Sequence, residues 1–103
     1  MPQYESETEL ALDVKEPGRY RVVMHNDDYT PMDFVVFVLI DIFAKNREEA
    51  EMLMWRVHEK GRAVCGVYTH EIAQMKAEQV VSLARQNSFP LLATVEEDEE
   101  GEL

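Results

Sequence analysis

The sequence predicts a small α+β domain: three strands in one antiparallel sheet, three helices packed on one face, in the order β-α-α-β-α-β. Three observations predict it. Short strand-like runs rich in Val, Tyr and Leu are bounded by turn residues. Three longer segments each open on a capping residue and carry apolar groups at helical spacing. Taken in chain order, these elements suggest a small sheet covered on one side by helices.

The first strand is expected at residues 20–26, between Pro17-Gly18 and the cluster Asn26-Asp27-Asp28. Thr30-Pro31-Met32-Asp33 then reads as a helix start, with Thr30 as cap, Pro31 in the first helical position and Asp33 three residues after the cap. That helix is expected to run to about residue 44. Asn46 caps the second helix, with Glu49 in the reciprocal position. Ala50, Leu53, Met54 and Val57 follow at i, i+3, i+4, i+7, and Gly61 ends it. Residues 63–68 form the second strand, with Gly66 as a bulge or point of close approach. Thr69 caps a third helix to about residue 87, whose apolar positions are Ile72, Ala73, Val80, Leu83 and Ala84. Pro90 blocks its continuation, and residues 91–95 make the last strand.

The 103 residues, 46% of them hydrophobic, suffice for one compact domain. No apolar run approaches the ~20 residues that span a bilayer. The acidic opening MPQYESETEL lacks the features of a secretory signal. Cys65 is the single cysteine, so no internal disulfide is expected, which fits a reducing compartment. The net charge of -11 is unevenly spread. Residues 1–17 and 96–103 together hold eleven acids and one lysine, a net of -10; residues 18–95 hold ten acids and nine bases, a net of -1. A nearly neutral domain therefore lies between two acidic segments, both expected to be disordered. The expected division is a flexible segment at 1–17, a domain at 18–96 and a tail at 97–103. Nucleic-acid binding is disfavoured, since it needs a basic face.

The segment MDFVVFVLIDIF is too apolar for a one-faced helix. Some of Met32, Val35, Val36, Phe37 and Leu39 should stay uncovered, as a binding surface or under a tail or second subunit. On the second helix, Met54 and His58 share a face bordered by Val57. If the first two helices pair, His58 approaches Asn26 and Asp27 beside the apolar patch. Asp accepts only, the Asn carbonyl accepts, and neutral His accepts through one ring nitrogen. Converging acceptors suit a primary ammonium with three donors and a positive charge. An ammonium one carbon from a large apolar side chain describes the N-terminus of a peptide that begins with Leu, Phe, Tyr or Trp.

The segments YRVVMHNDDYTPMDFVVFVL, MLMWRVHEKGRAVCGVYTHEIA and PLLATVE closely resemble ClpS, the bacterial adaptor that recognises N-degrons for the Clp protease. The resemblance covers about residues 20–96. It implies an α+β fold similar to the C-terminal domain of the ribosomal stalk protein. It implies that Asn26, Asp27 and His58 bind the substrate's α-amino group. It also implies a side-chain pocket lined by Asp28, Thr30, Met32, Val35, Met54, Val57 and Leu91, with Met32 over its entrance. The face around Glu71 and Lys76 would dock on the N-terminal domain of the ClpA-type AAA+ unfoldase, and the N-terminal segment would engage the unfoldase during hand-over. Such an adaptor is no enzyme, needs no cofactor or metal, and is expected to be a cytoplasmic monomer. His25 and His70 read as plain surface residues, Trp55 as packing, and Cys65 as a small core residue.

Two other readings of the residues stand beside this one. Asp27, Asp28 and His58 suit a metal-dependent hydrolase, although no HExxH, spaced histidine pair or phosphate loop accompanies them. A ribosome-type factor-binding module fits the fold but leaves the NDD cluster and His58 without a role.

Overall fold

The structure, a computed structural model, describes residues 18–98. The segments 1–17 and 99–103, and with them most of the disorder expected of the tails, lie outside the described residues. The elements run β1 (Tyr20–His25), α1 (Met32–Asp41), α2 (Arg47–Lys60), β2 (Arg62–Tyr68), α3 (His70–Gln86) and β3 (Leu92–Glu97). The expected α+β order is present, and the sheet is antiparallel with strand order β2-β1-β3.

The first of the described strands thus becomes the centre of the sheet. Its alternation sorts two faces. Val22 and Met24 point into the core with Ala63 and Cys65 of β2 and Ala93 of β3. All three helices cover this face; α1 and α2 pair with each other, and α3 lies along β1 and β3. Val23 points the other way and is still fully buried. On that face Arg62 of β2 reaches over the central strand to Glu96 of β3, at 2.8 Å to both carboxylate oxygens. His25 also belongs to this face, and its Nε2 lies 2.8 Å from Thr94 Oγ1, so it is tied down and not a plain surface histidine. His70 is exposed, with its ring edge-on to Tyr20.

Several local expectations hold for the stated reasons. Asn46 Oδ1 accepts from the Glu49 amide at 2.8 Å and Glu49 Oε1 accepts from the Asn46 amide at 3.2 Å, a complete capping box. Gly61 closes α2 in the left-handed region at φ 91°. The β1–β2 register slips between Val22–Gly66 and Val23–Val64, which leaves Cys65 as the extra residue of a bulge. At Gly66 a Cβ would run into the hydroxyl end of the Tyr68 side chain, so a larger residue there needs that ring to shift.

Other expectations are corrected. Thr30 does not cap α1. Its hydroxyl donates to Asp27 Oδ2, the cap position falls to Pro31, and Pro31 O accepts from Phe34 and Val35. The helix ends at Asp41, short of residue 44, because the chain turns at Ala44 with φ 56° to reach the Asn46 cap. On α3 Ile72 is exposed, and Ala77 is the buried position between Ala73 and Val80. Leu91 precedes β3 instead of opening it. The strand also continues into the acidic stretch. Glu97 belongs to β3, and Asp98 is buried against Arg19 Nη2 at 3.2 Å, so this ion pair carries order two residues past the expected border at 96.

Cys65 is a core residue, as expected. Burial pushes its thiol up from an ordinary 9.0 to about 12. Between those values the unfolded chain has lost the proton and the folded chain has kept it. The group's contribution is therefore intact below 9.0 and is lost as pH rises toward 12. Urea unfolding at pH 9.5 and 10.5 should show the parent losing about 1 kcal/mol more than Cys65→Ala over that unit. Equal losses would show that the thiol does not titrate as its burial requires.

Candidate functional site

The site forms where the end of β1 meets the end of α2. The Asn26 amide donates to the Gly61 carbonyl at 2.9 Å, a backbone bond that joins the end of β1 to the end of α2. It sets Asn26 and Asp27, just past β1, across from His58 in the last turn of α2. Between them opens a cleft of about 390 Å³. Val35 of α1 and Met54 and Val57 of α2 line it with buried side chains. Asn26, Asp27, Asp28, Thr30 and His58 add the polar lining, and Met32, 40% exposed, stands at its edge.

Of the expected site residues, the cleft gathers all those assigned to amine binding and all of the pocket set except Leu91. Leu91 is buried in the core and is not part of the cleft wall. Tyr29 and Pro31 are further lining residues that sequence reasoning left out. Their place inside the NDDYTPM turn was the available signal. Trp55 is corrected: it is 47% exposed, not packed away, and stands edge-on to His58 with ring centroids 5.7 Å apart.

Asp27 has a structural task as well. Its Oδ1 accepts from the amides of Tyr29 at 2.8 Å and Thr30 at 2.7 Å, and its Oδ2 accepts from Thr30 Oγ1 at 2.8 Å. These bonds close the turn that leads into α1. A carboxylate offers about four acceptor sites, so roughly one remains for a ligand. Asp28 is exposed beside it. The lining holds two carboxylates, an amide, two hydroxyls and an imidazole, with no lysine or arginine. A cationic hydrogen-bond donor with an apolar appendage is the ligand this lining fits.

Glu71 and Lys76 sit apart from the cleft, on α3. Glu71 is exposed. Lys76 is half-buried, its ammonium donating to the Ile42 carbonyl at 2.9 Å and lying 5.3 Å from the Tyr68 ring centre. Among the described residues no three His, Cys, Asp or Glu side chains come together as a metal-ion site requires. Among those residues, too, no helix is long and apolar enough to cross a membrane.

The family model for "ATP-dependent Clp protease adaptor protein ClpS" matches residues 15–94. The chain is 58% identical over 88 residues to the ATP-dependent Clp protease adapter protein ClpS of Oleidesulfovibrio alaskensis, a match that covers 85% of each chain. It is 54% identical over 84 residues to the protein of that name from Gluconobacter oxydans, covering 82% of this chain and 71% of the other. Among solved structures it is similar to Agrobacterium tumefaciens ClpS2 bound to L-phenylalaninamide. There the TM-score is 0.79 and the identity 36%, over 81% of this chain and 100% of that one.

The two roles available to Asp27 separate by substitution. Asp27→Ala removes three hydrogen bonds and should cost about 1–3 kcal/mol of stability. Asp27→Asn keeps an oxygen for the two amides and should cost under about 1 kcal/mol. Urea midpoints of the two variants check this. Equal destabilisation would show that the oxygen asparagine keeps does not hold the turn.

Proposed function

The chain belongs to the ClpS family of Clp protease adaptors, which are not enzymes, and from that premise we propose that its cleft reads the first residue of a protein substrate. The ligand is a free α-amino group together with the side chain of Leu, Phe, Tyr or Trp. The observation that carries this is the cleft's division of labour: an acceptor-rich lining with two carboxylates around the buried side chains of Val35, Met54 and Val57. An α-ammonium brings three donors and one charge to the acceptors of Asn26, Asp27 and His58. The side chain one carbon away enters between α1 and α2. The phenylalaninamide bound by the Agrobacterium relative has this chemistry. Its ammonium and benzyl group stand for a first residue, and its amide stands for the next peptide bond.

The captured protein is then delivered to a ClpA-type AAA+ unfoldase in the bacterial cytoplasm. The exposed Glu71 offers a charge to the unfoldase's N-terminal domain. Lys76 shapes the same face, with its ammonium held over Tyr68 and on the Ile42 carbonyl. In this scheme the adaptor acts as a monomer, and residues 1–17 take part in hand-over.

Acetylation of the peptide amine tests the reading directly. It removes the charge and two of three donors, each charge-assisted bond being worth about 1.5–3 kcal/mol, so affinity should fall by at least roughly a hundredfold. Titration calorimetry with a Phe-started peptide and its acetylated copy is the measurement. Equal affinities would remove the proposal.

Met32 is the proposed gate for the first side chain. Leu, Phe, Tyr and Trp are unbranched at the β-carbon, whereas Ile and Val carry a second substituent there with a stiff χ1. Exclusion by a clash is a repulsive form of specificity. Met32→Ala should therefore admit Ile- and Val-started peptides and lose some Leu affinity, through apolar contact worth ~25 cal/mol per Å². Since Met32 is 40% exposed, thermal stability should change little. Continued exclusion of Ile and Val by the folded variant would show that Met32 is not the gate.

A further inference from the structure

A second depression lies against the first. It runs between α1 and α2, encloses about 590 Å³, and shares the side chains of Met32 and Met54 with the cleft. Phe37 and Trp55, 50% and 47% exposed, project into it over the buried Val36. Three of the molecule's exposed large apolar side chains, Met32, Phe37 and Trp55, thus meet in one groove beside the proposed first-residue site. Arg47 and Glu51 also line it, and their charges are paired with each other at 3.2 Å. No lining charge is left to choose a strongly charged ligand except Asp33.

The geometry of an extended peptide names the occupant. Residues i and i+2 project to the same side, about 7 Å apart. If the first side chain enters the cleft, the second turns away and the third emerges on the cleft side, one methionine further along. We propose that the α1–α2 groove is a second subsite of the same peptide-binding surface, taking a large apolar side chain at the substrate's third position. This rests on the first-residue reading above. It makes the adaptor a reader of two positions, with the thioethers of Met32 and Met54 as the wall between them.

The test uses the full chain and peptides that begin Phe-Ala and continue with Gly, Leu or Phe. Titration calorimetry should show the Leu and Phe peptides binding roughly fivefold tighter than the Gly peptide. The Leu-to-Gly ratio should fall to about one in Phe37→Ala. Trp55 is the chain's one tryptophan, so its emission reports on the groove in the parent protein without any substitution. It should shift to the blue with the Leu peptide beyond any shift the Gly peptide produces. If the Gly peptide binds and Leu adds neither affinity nor a shift, the subsite is overturned while first-residue recognition stands. If none of the Phe-started peptides binds, both readings fall. A ratio that persists in Phe37→Ala overturns the subsite. So does one that vanishes only on deleting residues 1–17 or only at raised protein concentration, which assigns the groove to the chain's own segment or to a second copy.

Discussion

The carboxylate of Asp27 holds the turn on which the site is built. Two backbone amides and one hydroxyl converge on it within four residues of sequence. They set the direction in which the chain leaves β1 and enters α1. That direction places Met32 at the cleft edge and Val35 in its lining. The backbone bond from Asn26 to Gly61 then fixes the same turn to the end of α2, which carries His58. Buried or half-buried acceptors with local donors are cheap to maintain, whereas an acceptor-rich rim with none would repel itself. The turn thus solves a folding problem and leaves acceptor capacity facing outward.

The second constraint is the apolar excess of α1. A three-stranded sheet with helices on one face can cover only part of such a helix. Val35, Val36, Val38 and Leu39 are buried, and Met32 and Phe37 are left out. Trp55 joins them from α2. The exposed remainder is concentrated on the two sides of one pair of methionines. Exposed apolar surface gathered in this way supports the proposed use of this face for binding. Methionine suits the position, since its unbranched thioether adapts to different neighbours.

The far end of α1 is secured separately. Lys76 of α3 donates to the Ile42 carbonyl, one of the acceptors that a helix C-terminus leaves without an intrahelical donor. A cation at that end also meets the helix dipole favourably. Its ammonium stands near the Tyr68 and Phe43 rings as well. One lysine therefore joins the end of α1 to the face that carries Glu71. The cleft lies at the start of α1, and the proposed docking face, carried by α3, touches the other end of α1 through Lys76.

The fold class was legible in the sequence because it rests on local signals. The Asn46–Glu49 capping box, the terminal Gly61, the Thr69 cap and the apolar spacing of α2 act within a few residues, and each is present. The grouping of Asn26, Asp27 and His58 was legible through their chemistry and the family resemblance. Most of what failed depended on distant partners; the Thr30 cap failed to a local competitor. Thr30 looked like a cap because capping is local, but Asp27 competes for its hydroxyl. Asp98 belonged by composition to an acidic tail, but Arg19, 79 residues away in sequence, draws it into the domain. Trp55 was expected to pack, and only the crossing of α1 and α2 decides that it stands in a groove beside His58. By itself the sequence determined which segments become helix or strand, since hydrogen bonding and periodicity along the chain decide that. Only the tertiary structure decided which apolar groups stay exposed, because coverage depends on how much surface the neighbouring elements bring.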